Sequence, residues 1–456
     1  MLSLEQMTAD FRLEPHKEYR LLVGFEYEVL LFSADTLLPL GYEGAHGLGE
    51  ILRFVATHLG GTLVPGRPPN KVQLPGGALI SLEPGGQFEY SSAPVPTFGE
   101  CLTQLHTFLR LVDEICSRFA VHAFYGGANP VHRVDQIGLV VPNERYRIMD
   151  AYFPTTGESG RRMMRQTTSI QVTFDFRTPE IGAQLFRTAL YVAPFAAAIF
   201  ANAPFIDGEH SGHRSERGKI WQDTDPARCG TLPGFTRGDY GFTDYVQHII
   251  RAPMFFVDSP EGVLPANGMT FEQFNKEGFQ GRAATLEDFQ LHNSTIFADA
   301  RLKRTVEVRS VDGQSPQLMP AVLAFLSGLL LCNEMRPRTL ERLGKLPIKD
   351  FNALSAKLAR EGLSGEVVPG LPTRELALEL LQSARDGVAT CYPDGPEALP
   401  YLEPIADLIE AGKTPADVVL ERHPDARSWL SAGAGDTKGL RGLDSKAAGR
   451  AQATRV

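Results

Sequence analysis

The chain has 456 residues and a formal net charge of −9, from 45 lysines and arginines against 54 aspartates and glutamates. That length can bury a sizeable interior, as one large domain or a core with an appendage, and the acidic balance excludes the basic footprint of a nucleic-acid binder. The two most apolar runs, 186–202 and 318–332, fall short of the roughly 20 uninterrupted apolar residues that span a bilayer, and Pro194 interrupts the first.

The N-terminal MLSLEQMTADFRLEPHKEYR has no apolar core of a secretion signal and is too acidic for a transit peptide, so a cytoplasmic protein is expected. Cys101, Cys116, Cys229, Cys332 and Cys391 show no CxxC or Cys/His ligand spacing. They indicate neither a zinc site nor a disulfide scaffold, and pairing in space stays open.

The first element is a strand over 21–32, LLVGFEYEVLLF. Strand alternation puts Glu26 and Glu28 on one face, about 7 Å apart, and Phe25, Tyr27 and Val29 on the other. Two buried, unpaired anions are costly, and the remedies are protonation, a basic partner or a bound metal. A helix over 46–59 follows, and the Gly/Pro-rich 60–77 segment reads as a surface loop. SLEPGGQFEYSS (81–92) reads as strand, turn, strand, with Gln87 and Glu89 sharing a face.

Helical spacing predicts a helix over 97–120 capped by Thr97. IQVTFDF (170–176) predicts a strand with Gln171, Thr173 and Asp175 on one face, and an apolar helix follows over 183–200. The 201–241 segment, containing GHRSERGKIWQDTDPARCG, reads as too polar for core and too specific for a linker. The last strong strand is expected over 300–311, its odd face carrying Arg301, Lys303, Thr305, Glu307 and Arg309 and its even face broken by Arg304. Helices are expected over 318–332, 350–360, 373–386 and 414–422, the last with Thr414 and Pro415 at its cap and first turn. The Ala/Gly/Lys/Arg composition of 431–456 predicts a disordered tail.

Four strands far apart in sequence thus each carry a polar face. The architecture expected is α+β: a curved antiparallel sheet with an acidic concave face and helices on its other side. Oxygen donors without Cys/His pairing favour Mg²⁺ or Mn²⁺ over zinc, and nearby bases suit a polyphosphate. A P-loop or Rossmann unit is not supported, because neither GxxxxGK[ST] nor a GxGxxG following a strand is present.

GFEYE, SLEPGGQFEYSSAP, the MM followed by TxxxQVxxDF, ANAPF, IWQDTD, GMTF, TIF and RLKRTVEVRSVDG occur in this order. Together they resemble the plant and proteobacterial type of glutamate–cysteine ligase over residues 20–335, with weaker similarity through 401–421. The resemblance implies a glutamine-synthetase-like fold in a single catalytic domain over 1–430, its sheet core in 20–312 and a helical part in 316–430. It also implies ATP-dependent joining of the L-glutamate γ-carboxyl to the L-cysteine amine through γ-glutamyl phosphate, the first step of glutathione biosynthesis.

By motif, Glu26, Glu28, Glu83, Glu89 and Glu307 resemble the family's Mg²⁺ ligands. Arg309 and, less directly, Lys303 resemble ATP-phosphate contacts. Arg217 and Trp221 resemble the glutamate-binding pair, the Arg217 guanidinium suited to a bidentate grip on the α-carboxylate, and Gln171 and Thr167 line the same region. Arg309 and Arg217 are the residues expected to act in catalysis. L-glutamate, L-cysteine and ATP are the expected partners, with no nucleic acid or membrane, in a monomer or homodimer. The alternative is a related ligase with another amine acceptor or thiol pathway. Two departures stand out. Asn267 replaces the cysteine that precedes GMTF in plant enzymes, and 270–285 has no cysteine, so their redox-sensitive hairpin pair is missing. Gln166 stands where the family commonly has arginine, with Arg165 shifted by one.

Overall fold

In the computed structural model, which describes residues 1–11, 21–259 and 262–433, the 21–32 alternation becomes the central strand β1 (Val23–Ser33). Phe25, Tyr27 and Val29 are buried while Glu26 and Glu28 turn the other way. Eight more strands join it: β2 (Thr62–Val64), β3 (Lys71–Gln73), β4 (Leu79–Leu82), β5 (Phe88–Ser91), β6 (Val121–Phe124), β7 (Ser169–Phe174), β8 (Ala300–Leu302) and β9 (Val306–Asp312). The order is β8-β9-β7-β1-β5-β4-β3-β2, with β6 on the second half of β1. Every neighbouring pair is antiparallel.

Helices cover the apolar face of the sheet. From the Phe98–Phe119 helix, Phe108 stacks on Phe88 and Tyr90, with ring centroids 6.0 and 5.0 Å away, and meets Tyr27 edge-on at 5.8 Å. This helix starts on the Thr97 hydroxyl, which accepts the Glu100 N–H, and stops at Ala120 in the left-handed region (φ 50°). The Pro179–Ile199 helix packs on β8 and β9, and the Met319–Leu330 helix on β7. The latter is buried all round, which explains its almost wholly apolar sequence, Ser327 apart. Among the described residues no single helix is long and apolar enough to cross a membrane. Cys332 and Cys391 form a disulfide beside this layer, leaving Cys101, Cys116 and Cys229 as free thiols.

Three expectations are corrected. The 60–77 segment is not simply a loop: Thr62–Val64 and Lys71–Gln73 pair as a hairpin that extends the sheet, with Pro65, Gly66, Pro68 and Pro69 in the turn between them and Gly60, Gly61, Pro75, Gly76 and Gly77 just outside it. The 300–311 stretch is two strands, because Lys303 N–H donates to Thr305 O (2.8 Å) and reverses the chain. Arg304, which broke the apolar face of a continuous strand, sits at the turn, where its guanidinium meets Asp10 at 3.3 Å. The 201–241 segment is also not too polar for the interior. Arg228 is fully buried there, its Nε donating to Asp225 Oδ2 (2.6 Å) while its guanidinium lies over the Phe255 ring (3.9 Å). A charge enters a core when it is paired in this way. The helices expected near 350, 373 and 414 form as Phe351–Glu361, Thr373–Cys391 and Pro415–Arg422, the last capped by Thr414. The expected tail from 431 begins inside the Ala426–Ala432 helix and from 434 onward lies outside the described residues.

Candidate active site

The face of the sheet away from Phe108 carries two polar rows whose order follows from strand register. Lys71, Ser81, Glu89 and Glu28 are successive cross-strand partners on β3, β4, β5 and β1. Ser91, Glu26 and Gln171 form the next row on β5, β1 and β7. Glu83 joins them from the turn between β4 and β5, where Gly86 N–H donates to Glu83 O (2.8 Å). Glycine is required in this turn twice over. Gly86 has φ +86°, and a Cβ on Gly85 would lie 2.4 Å from the backbone oxygen of Arg165.

Glu26, Glu28, Glu83 and Glu89 face one cleft of about 330 Å³, together with Gln171, Thr167, Arg217, Trp221 and Arg309. Burial, then repulsion from neighbouring glutamates, pushes the Glu26 and Glu89 carboxyls up to about 7. The same causes raise Glu28 far above the usual carboxylate range, opposed by Arg217 and then by the Ser169 N–H, which donates to Glu28 Oε2 (2.5 Å) beside the Ser169 hydroxyl (3.1 Å). Burial also raises Glu83, opposed chiefly by Lys71. Four acids that hinder one another's ionisation on an all-oxygen surface are the donor set of a hard divalent cation. Among the described residues, no three such side chains are drawn tightly enough around one point to ligate an ion as they stand. The wall is therefore acidic and broad, and closure around an ion needs side-chain rotation.

Glu307 is set apart from these four. It is 1% exposed and surrounded by Arg301 Nε (2.7 Å), Arg309 Nη1 (3.2 Å) and Lys303 Nζ (3.5 Å). Burial alone would raise its pKa, but the three cations hold it well below the usual range. Lys303 points into this cluster and, like Glu307, does not line the cleft. Arg309 does line it. The register shift between Val308 and Val311 re-aims the strand at this residue, and its Nη1 also donates to Gln171 Oε1.

Arg217 projects from the Glu216–Gln222 helix, which begins on the Ser215 hydroxyl. Its Nη1 and Nη2 donate to the backbone oxygens of Ser310 (3.1 Å) and Arg309 (2.8 Å), so the two Nη groups are tied to β9 rather than jointly open for the expected bidentate grip. Its Nε, the Trp221 Nε1 and the Arg309 Nε are buried with no acceptor among the described residues. The Arg217 guanidinium lies 5.4 Å from the Trp221 ring centroid. Thr167 is buried, its hydroxyl donating to Met163 O (2.7 Å) and its carbonyl accepting from Gln87 Nε2 (2.9 Å). Gln166 and Arg165 turn away from the cleft. Gln166 Nε2 donates to His132 O (2.8 Å) and Asp207 Oδ1 (2.9 Å), and Arg165 pairs with Asp150.

Lys71, Arg145 and Tyr146 also reach the cleft and were not singled out from the sequence. Lys71 is missed with the hairpin that carries it, although the short KVQL alternation was a usable signal. Tyr146, whose hydroxyl donates to Glu83 Oε2 (3.4 Å), and Arg145, paired with Asp258 at 2.6 Å, come from a short helix with no distinguishing pattern.

Residues 22–437 match the family model of glutamate-cysteine ligase family 2. The chain is 33% identical over 403 residues to the chloroplastic glutamate–cysteine ligase of Medicago truncatula, covering 88% of this chain and 78% of that one. It is 31% identical over 410 residues to the chloroplastic enzyme of Arabidopsis thaliana, covering 88% and 76%. A crystal structure of Francisella tularensis glutamate–cysteine ligase in complex with AMP superposes with a TM-score of 0.56 over 97% of this chain and 95% of that one, at 13% identity, which shows a shared fold. A match that runs through nearly the whole described chain, including every strand bearing a cleft carboxylate, places this protein in glutamate-cysteine ligase family 2.

Proposed function

We propose that this protein joins the γ-carboxyl of L-glutamate to the amine of L-cysteine at the expense of ATP, giving γ-glutamylcysteine, ADP and phosphate, the first step of glutathione biosynthesis. The supporting observation is the cleft itself: four glutamates from β1, β5 and the β4–β5 turn face Arg217 and Arg309 across one cavity. A carboxylate is a poor acyl donor. Attack of its oxygen on the terminal phosphorus of ATP releases ADP and makes phosphate the leaving group, after which the cysteine nitrogen attacks the acyl carbon and phosphate departs.

Both steps bring anions together, and the residues are suited to that burden. Glu26, Glu28, Glu83 and Glu89 would hold Mg²⁺ or Mn²⁺, which when bound would supply positive charge against the phosphates. Gln171 and Glu307 fix Arg309 by its Nη1, which leaves its unpartnered Nε free to donate to phosphoryl oxygens. Arg217 Nε and Trp221 Nε1 would receive a glutamate carboxylate. Met149, Met163, Met164, Phe256 and Phe297 line the rest of the cleft and exclude water, strengthening each of these contacts.

Phosphate release should require glutamate, cysteine and Mg²⁺ together, and mass spectrometry should find γ-glutamylcysteine. ATP turnover that ignores the omission of cysteine, or that accepts unrelated amines equally, would refute the assignment.

A further inference from the structure

Arg217, Trp221, Arg309 and Phe297 have a second side. They also line a smaller chamber of about 40 Å³, closed by Asp299, Ser355 and the Pro179–Ile199 helix. Among the described residues its donors are unmatched: Arg217 Nε, Trp221 Nε1 and the Ser355 hydroxyl are buried without a partner. Its one acid is unmatched as well, since the Asp299 carboxylate enters no hydrogen bond or ion pair among the described residues. The Asp299 backbone, by contrast, is fixed on both sides. Its N–H donates to Gly230 O (3.0 Å), and its carbonyl accepts from Arg309 N–H (2.9 Å), which fixes the chain at this position.

A phosphate or simple carboxylate would use the donors but be repelled by Asp299. A metal ion or plain amine would use Asp299 but meet two guanidinium groups. The ligand that satisfies both is a zwitterion, an ammonium and a carboxylate on one carbon. The chamber and the larger cleft share Arg217, Trp221, Phe297 and Arg309, so a head group held on the chamber side of Trp221 sits next to the cleft in which its side chain would meet the glutamates.

We infer that Asp299 binds the α-ammonium of the amino-acid donor, while Arg217 and Trp221 bind its α-carboxylate, which makes Asp299 the residue that selects an α-amino acid over a bare dicarboxylate. This rests on the glutamate reading above and adds to it the group that recognises the amine. Burial raises the Asp299 carboxyl to about 6, opposed by Arg217, so it is ionised under neutral conditions.

The test compares L-glutamate with glutarate, which has the same two carboxyls and no amine, by calorimetric binding and by phosphate release with ATP and cysteine. Wild-type protein should favour glutamate by about 100-fold, because a site built for a polar group rejects the analogue lacking it. Asp299→Asn should raise the KM for glutamate by a similar factor, leave glutarate and the KM for ATP within about threefold, and so erase the preference. Equal weakening of both ligands, or an unchanged glutamate KM, would overturn the inference. So would equal affinity of wild-type protein for the two ligands, a result that needs no folded variant. Wild-type protein without glutamate- and cysteine-dependent phosphate release would sink the functional reading as well, whereas the Asp299→Asn outcomes bear on this inference alone.

Discussion

Replacing Glu89 by glutamine should make the cation-free protein more stable and the cation-loaded protein less responsive. Glu89 is 8% exposed, and burial followed by repulsion from Glu83 raises its carboxyl from 4.5 to about 7. At 1.36 kcal/mol per unit, its ionisation in the folded state costs roughly 3 kcal/mol. Because the folded pKa lies above the unfolded one, this group weakens the fold as pH rises from 4.5 through 7, and the full cost is present above that. Glutamine carries no charge and can still accept from the Ser81 hydroxyl, which donates to Glu89 Oε1 at 2.7 Å. Its extra N–H donors lack an assured partner and return about 1 kcal/mol of the gain. Denaturant unfolding in chelator at pH 8 should therefore find Glu89→Gln about 2 kcal/mol more stable than wild type, with the difference gone by pH 5. Added Mg²⁺ should reverse the order, stabilising wild type by more than the variant. Equal stability in chelator at pH 8, or equal stabilisation of both proteins by Mg²⁺, would refute the view of this surface as an unneutralised cation site.

Arg217→Lys should raise the KM for glutamate about tenfold or more with little change in that for ATP, since an ammonium cannot replace the fork that bonds Ser310 and Arg309 while presenting Nε; steady-state kinetics at saturating cysteine decide this. Arg301→Met should cost about 3 kcal/mol in denaturant unfolding, because it strips the shortest partner from the buried Glu307. An unaltered unfolding midpoint would show that Lys303 and Arg309 suffice. His292 is buried, donates or accepts through Nε2 at Ile249 O (2.7 Å), and is held down at about 4 by desolvation. Its folded pKa lies below the unfolded value, so its stabilisation is complete above pH 6.5 and roughly 3 kcal/mol is lost as pH falls towards 4. His292→Gln should flatten that part of the stability profile, and superimposable wild-type and variant profiles would count against it.

What the sequence determined by itself is local. Alternation in LLVGFEYEVLLF puts Glu26 and Glu28 on the face opposite Tyr27, because side-chain direction in a strand depends only on neighbouring residues. Thr97 and Thr414 mark helix starts for the same kind of reason, a hydroxyl meeting an N–H three residues on. The strongly apolar run at 318–332 likewise announces a buried helix. The motifs extend this reach to distant groups, since long collinear matches carry the family's fold with them.

What only the tertiary structure decided is which groups meet. The reversal at 303–305 sets Arg301 across from Glu307, a pairing invisible while 300–311 reads as one strand. Register brings Lys71 into line with Ser81, Glu89 and Glu28 from a stretch that looked like loop. Backbone oxygens of β9 claim both Nη groups of Arg217, and Asp299 is left facing unmatched donors in a chamber no motif describes. The physical reason is that ionic and hydrogen-bonding energies depend on distances of a few ångströms between residues tens or hundreds of positions apart. Those distances are set by strand register and packing, and no local pattern of residues encodes them.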